Sequence, residues 1–301
     1  MASYPSGMDH SLYAWSPLPK RARLAWPQGA NLAVCINLFF ETMGYTPRPG
    51  SLRDARWKER FEHDCRLYTW YEYGNRVGIF RILPLLDKYG LKATVAANAE
   101  ACERFPYLVN EFVRRGYEIV PHGLAANEII SSRMPEEAER SAVAEAIDRV
   151  TTATGTESQG WISQDYVASL RLPDLLVENG VRYVVDWPND EQPYLMSGSR
   201  LVSIPNYAEW DDMRLLWDRR LQMPRYPQIV GDAFTQLYRD GAENGRLFSI
   251  NIHPWLLGAA HRIRYLESVI EKIATTPNLW HATAGQVANH MHARVASNPD
   301  N

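Results

Sequence analysis

Residues 106–123 read PYLVNEFVRRGYEIVPHG, and this stretch decides the fold. The segment 106–115 is expected as a helix opened by Pro106 and capped by Gly116. Residues 117–120 then read as a strand that delivers Pro121, His122 and Gly123. A helix feeding a short strand that ends on a histidine is one unit of an α/β architecture.

The same unit recurs in both directions. Upstream, Leu32, Val34, Ile36 and Leu38 alternate with smaller residues, a strand with Phe39, Phe40 and Glu41 at its C-terminal end. Val77, Ile79, Phe80, Leu83 and Leu86 carry the helical period over 76–89, with Gly90 as the stop and Pro84 as a kink. A strand is expected over 92–97. Downstream, Pro135 opens a long helix to about 152, with Glu136 and Glu137 favourable in its first turn. Strands are expected over 159–162, 182–185, 201–204, 246–252 and 279–282, and helices over 172–179, 228–239, 263–273 and at the C-terminus. Such alternation demands a mostly parallel sheet, open or closed into a barrel. No Gly-rich nucleotide fingerprint follows the first strand.

The 301 residues divide into an N-terminal arm (1–30), one catalytic α/β domain (31–295) and a short tail (296–301). A long excursion over about 43–70 exceeds what a compact domain needs and is read as a lid or subunit contact, so a homo-oligomer is expected. A formal charge of -3 gives no global attraction for nucleic acid or anionic lipid, which leaves a small-molecule substrate as the expected partner. The 10 Trp and 16 Tyr can build a core or line a pocket for a flat ligand. Cys35, Cys65 and Cys102 have neither disulfide nor zinc spacing. The N-terminus lacks a basic segment followed by an apolar one, and no apolar run is long enough to span a bilayer, so a cytoplasmic enzyme is expected.

Ligands of parallel α/β folds bind at the carboxyl ends of the strands. Glu41, His122, Asp186, Asn251 and His253 stand there, with Trp187, Asn189 and Asp190 behind Asp186. One carboxylate and two imidazoles form a workable acid–base set: the carboxylate takes a proton from water, and an imidazole gives one to a leaving nitrogen or holds an oxyanion. Plainer readings stand beside this one. Either histidine can be a satisfied structural residue, Glu41 a solvated turn and Asp186-Trp187 a loop anchor. Asp211-Asp212, beside Trp210, read as a charged surface turn or a lid cap.

The segments 71–78 (YEYGNRVG), 89–94 (YGLKAT), 115–119 (RGYEI), His122-Gly123, His253-Pro254 with Gly258 and Arg262, and 279–283 (LWHAT) together resemble the polysaccharide-deacetylase (NodB-like) superfamily over roughly residues 20–290. The Tyr-Glu-Tyr-Gly segment resembles its non-sugar branch, the metal-independent allantoinases and cyclic-imide hydrolases. The resemblance implies a deformed (β/α) barrel. It implies that Glu41 is the base and His253 the acid. In metal-using members the ligands fall at the positions of Thr42, His122 and Ala126, so two of three ligands are replaced here. Gln159-Gly160-Trp161 stands where the sugar branch has its arginine motif. No cofactor is therefore expected, with zinc left open through Glu41, His122 or Glu128.

The resulting expectation is hydrolysis of a cyclic amide, with Glu41 activating water, His122 orienting it or stabilising the oxyanion, and His253 protonating the departing nitrogen. Tyr73, Arg76, Trp161, Asp186, Trp187, Asn189 and Arg262 are the expected substrate contacts, with core packing the alternative for the two tryptophans. A metal-dependent N-deacetylase, a hydrolase of linear amides and a binding module without catalysis remain as alternatives.

Overall fold

A computed structural model describes residues 7–45, 65–198 and 200–297. Most of the excursion read at 43–70 lies outside the described residues. Its end is a helix, α1 (Cys65–Tyr73), which a five-residue π turn (Gly74–Gly78) joins to α2 (Ile79–Lys88).

The centre of the fold is β1 (Leu32–Phe40), buried along its whole length. It is flanked by β2 (Thr94–Ala97) at its C-terminal half and by β9 (Leu279–His281) at its start. Along the other edge runs β8 (Arg246–Ile252). Beyond β2 lies β3 (Glu118–Pro121). All these pairings are parallel, as the helix–strand alternation requires. A second sheet has the order β4 (Gly160–Trp161), β5 (Tyr183–Val184), β7 (Val202–Ser203) and β6 (Tyr194–Leu195), with β6 antiparallel.

The expected barrel is not closed by hydrogen-bonded ladders among the described residues. Ile162 N–H donates to Pro121 O at 3.2 Å, which links β3 to the second sheet. On the far side, Trp210 Nε1–H donates to Ser249 O at 2.8 Å across the seam beside β8. Strands of two residues are too short to carry a full ladder, and side-chain bonds replace it.

Strand parity sorts the core into two layers. Leu32, Val34, Ile36, Leu38 and Phe40 of β1 pack outward against the helices, with Phe248, Ile250 and Ile252 of β8. Ala33, Cys35 and Phe39 face inward with Val120, Ile162 and Leu247. The inward parity of β1 continues to Glu41, that of β3 to His122 and that of β8 to His253. Alternation alone therefore brings three polar side chains to one end of the interior.

The arm closes the opposite end. Leu24 and Trp26 are buried in the inner cluster, and Trp26 Nε1–H donates to Arg246 O at 2.8 Å. The helices α4 (Pro106–Arg114), α5 (Glu136–Thr154), α6 (Leu172–Glu178), α7 (Tyr226–Gly241) and α9 (Ile263–Thr275) fall where periodicity places them. The short α3 (Ala99–Arg104) and α8 (Pro254–Leu257) were not anticipated. The last helix, α10 (Ala284–Ser297), runs past residue 295. No described helix is long and apolar enough to cross a membrane.

Candidate active site

Glu41 is the hub. Its Oε1 lies 3.4 Å from His122 Nε2 and its Oε2 lies 3.8 Å from His253 Nε2. All three residues are buried, and Glu41 Oε2 has no hydrogen-bond partner among the described residues. A buried carboxylate oxygen without a donor costs roughly 1–3 kcal/mol or more, an expense typical of a reacting group. The backbone around it is fixed from two sides. Asn75 Nδ2–H donates to Glu41 O at 2.7 Å, and Thr42 N–H donates to Asn98 Oδ1 at 3.2 Å.

The two imidazoles are held in defined orientations. His122 Nδ1 meets Ile162 O at 2.8 Å, so Nδ1 carries the proton there and Nε2 points at Glu41. His253 Nδ1 meets Asp212 Oδ1 at 2.5 Å, and His253 N–H donates to Asp212 Oδ2 at 2.8 Å. Phe39 stacks on His253 at 4.1 Å between ring centroids and turns its plane edge-on to His122 at 5.2 Å.

Burial opposes charge on His253, but the charge and hydrogen bond of Asp212, with Glu41 and Asp211, outweigh it and raise the imidazole to about 9. At neutral pH it is an imidazolium with Nε2–H facing the cavity. Burial likewise raises Asp212 to about 6, against the pull of His253. The reading of Asp211-Asp212 as a surface turn is thereby corrected: the two are 2% and 0% exposed. Asp211 Oδ2 accepts from Asn251 Nδ2 and from the Tyr166 hydroxyl, both at 2.8 Å.

These groups border a cavity of about 40 Å³, room for on the order of three waters. Its wall also includes Tyr71, Ser163, Gln164, Met213 and Arg214. Asp165 and Tyr166, also in the wall, adopt left-handed φ of 53° and 60°, uncommon for non-glycine residues and often kept at sites where geometry matters. Gly123, at φ +70°, lets Gln164 approach, since a Cβ there would meet Gln164 Oε1 at 2.3 Å.

None of the seven expected substrate contacts lies in this wall. Tyr73 instead accepts from Arg81 Nη1 at 2.8 Å, and Tyr71, two residues earlier on α1, faces the cavity. Arg76 is exposed on the π turn, where the neighbouring Asn75 turns inward. Trp161 has outward parity and sits in the outer core, its Nε1–H donating to Ser163 Oγ at 2.9 Å. Asp186 stands behind the wall, accepting from Ser163 N–H at 2.6 Å and Ser163 Oγ–H at 2.8 Å. Burial raises Asp186 to about 6, against those bonds and the influence of His122. Trp187 packs beside Tyr13 of the arm at 5.9 Å, and Asn189 pairs with the Tyr194 hydroxyl in a separate groove. Arg262 is half-buried near Asp212 but outside the cavity wall, with Nε unpartnered.

The three family ligand positions do not fit a divalent metal. Thr42 offers a hydroxyl and Ala126 no donor. The Thr42 Oγ1 has the Arg104 guanidinium at 3.5 Å, a cation where a ligand would need an anion. Asp211, Asp212 and His253 gather within 4.8 Å, but His253 Nδ1 already bonds to Asp212, and Asp211 already accepts from Asn251 and Tyr166.

The Polysaccharide deacetylase family profile matches residues 63–172. A peptidoglycan deacetylase of Helicobacter pylori is 27% identical over 258 residues, 74% of this chain and 86% of that protein. The crystal structure of a probable polysaccharide deacetylase from Pseudomonas aeruginosa PAO1 superposes with a TM-score of 0.79 at 28% identity, over 89% of this chain and 93% of that one. The structure of Puue allantoinase superposes with a TM-score of 0.82 at 26% identity and covers 100% of both chains.

Proposed function

This chain belongs to the polysaccharide-deacetylase superfamily, and from that premise we propose that it hydrolyses a non-peptide C–N bond, opening a cyclic amide such as an imide, a hydantoin-like ring or allantoin. One observation carries the reading: Glu41 lies between the two imidazoles while the family's metal-ligand positions hold Thr42 and Ala126. Acid and base are retained, and metal ligation is lost.

In the proposed reaction Glu41 Oε2 takes a proton from water, and the water oxygen adds to the ring carbonyl carbon. His122 orients that water by accepting one of its O–H groups at Nε2, since Nδ1–H is donated to Ile162 O. The His253 imidazolium gives its Nε2 proton to the ring nitrogen as the C–N bond breaks, and Asp212 keeps the imidazole oriented and charged. Without a metal the water keeps its ordinary high pKa, so an activated carbonyl suits this site better than a plain N-acetyl group. The small cavity and the full-length likeness to Puue allantoinase support a compact ring.

The test is turnover of cyclic imides, hydantoins, allantoin and N-acetyl sugars, each with and without a strong chelator. Chelator-insensitive ring opening is expected. Turnover confined to N-acetyl sugars and restored by a divalent metal would overturn the reading in favour of a metal-dependent N-deacetylase. Ligand binding without turnover would instead indicate a module that has lost catalysis.

A further inference from the structure

Resting on the ring-opening reading, we infer that the ring this site accepts carries no carboxylate, and that the carboxylate created by ring opening is driven out by the charge of the cavity itself. The wall contains three acids, Glu41, Asp165 and Asp211, and Arg214 is the one lysine or arginine among its described residues. The His253 imidazolium adds a second positive charge, so the described residues of the wall keep a negative excess, and Asp212 directly behind His253 deepens it.

Each cation is already matched by an acid within 4 Å. Arg214 donates Nη2–H to Asp165 Oδ1 at 2.8 Å and Nη1–H to Asp218 Oδ2 at 2.9 Å, with its guanidinium over the Tyr166 ring at 5.8 Å. His253 is held by Asp212 at 2.5 Å and faces Glu41 at 3.8 Å. A carboxylate entering here would have to displace an acid from Arg214, and at the His253 Nε2–H it would sit beside the Glu41 carboxylate, inside a cavity where water screens little. An uncharged ring meets none of that cost.

The argument extends to the product. Hydrolysis replaces the ring amide bond with a carboxyl group and an N–H, and the carboxyl group ionises at neutral pH, releasing one proton. A neutral ring entering and an anion leaving gives the site a built-in preference for substrate over product. Asp165 is the residue that sets this preference, because it lines the cavity and occupies the guanidinium that an anion would seek.

The experiment compares kcat/KM for succinimide, a carboxymethyl-substituted succinimide and an aminomethyl-substituted succinimide, with the corresponding hydantoins in parallel. Binding of the lactam 2-pyrrolidinone and its 5-carboxylate, measured by calorimetry, provides a readout that needs no turnover. The carboxylated ring should be poorer by about 10–100-fold, from Coulomb repulsion across a few ångströms at intermediate dielectric, and the ammonium ring at least as good as the uncharged one. Asp165→Asn keeps a residue tolerant of left-handed φ and should narrow the gap about tenfold by releasing Arg214. Asp218→Asn releases the same guanidinium from outside the wall and should act in the same direction if Asp165→Asn folds poorly. If rings are hydrolysed and the carboxylated ring is no worse, this inference falls and the ring-opening reading stands. If no ring of either charge is bound or hydrolysed, the ring-opening reading falls and takes the inference with it.

Discussion

Asp212 grips His253 twice, through the ring Nδ1 at 2.5 Å and through the backbone N–H at 2.8 Å. Forty-one residues separate the two in sequence. The double contact fixes both the rotation of the imidazole and the strand end that carries it. Asp212→Asn should therefore do more than weaken a hydrogen bond. The amide can present its NH₂ to Nδ1 and select the wrong tautomer. A fall in kcat of about 10²–10⁴ is expected, with the alkaline limb of the pH profile moving to lower pH as His253 loses its anionic neighbour. Unchanged kcat and an unchanged limb would reduce Asp212 to a packing residue.

The raised His253 fixes a pH dependence of its own. Its folded-state value of about 9 lies above the ordinary 6.5, so the stability it contributes is fully present below 6.5 and is lost as pH rises through 9. At about 1.4 kcal/mol per pH unit, the loss is at most about 3–4 kcal/mol. Urea denaturation at intervals from pH 6 to 10 should show this decline, and His253→Gln should flatten it. Activity should fall over the same upper range as the acid loses its proton.

Gly78 supports His253 from the outside. A Cβ at Gly78 would lie 2.1 Å from Pro254 O, one residue after His253. The clash is with backbone and cannot be relieved by a rotamer change. Gly78→Ala should cost about 1–3 kcal/mol, as overpacking does, and lower kcat by displacing the imidazole. Melting temperature and turnover on one preparation check both, and Gly90→Ala is unsuitable as a control because its φ of +64° adds strain of another kind.

Much of this site was legible because strand parity is legible. Leu32 through Leu38 alternate in sequence, and the same alternation carries Phe39 and Glu41 inward. His122 and His253 follow by the same rule on β3 and β8. The rest of the cavity wall was not legible, for physical reasons. Tyr71 and Tyr73 lie about 200° apart around a helix, and the phase of so short a helix is set by what it packs against. The π turn over Gly74–Gly78 shifts that phase again, and Asn75 rather than Arg76 turns inward. Asp212 caps a six-residue π-helical turn (Met213–Asp218), whose period differs from that of an α-helix. The one available signal was two adjacent acids beside Trp210, and buried acids need partners.

Chelation should leave activity intact. Thr42 and Ala126 provide no adequate ligands, and the Arg104 guanidinium at 3.5 Å from Thr42 Oγ1 opposes a cation there. Extended dialysis against a strong chelator, followed by assay and elemental analysis, tests this. Turnover lost on dialysis and restored by zinc would show that the ligand set lies elsewhere.

Glu41→Gln isolates the base. The amide keeps the size of the side chain and can still bond to His122, but it cannot accept a proton from water. General-base assistance is typically worth ~10²–10⁴ in rate, so kcat should fall at least about a hundredfold. KM should move little, because the substitution removes a transition-state function rather than binding surface. The buried carboxylate also costs stability, through its unpartnered Oε2, so the melting temperature of Glu41→Gln should hold or rise. A merely structural Glu41 predicts the reverse, near-normal turnover with reduced stability. Glu157→Gln, on the exposed surface, should change neither quantity. A Glu41→Gln protein with wild-type kcat on a ring that the wild type opens would remove Glu41 from the chemistry and leave the two histidines without a base.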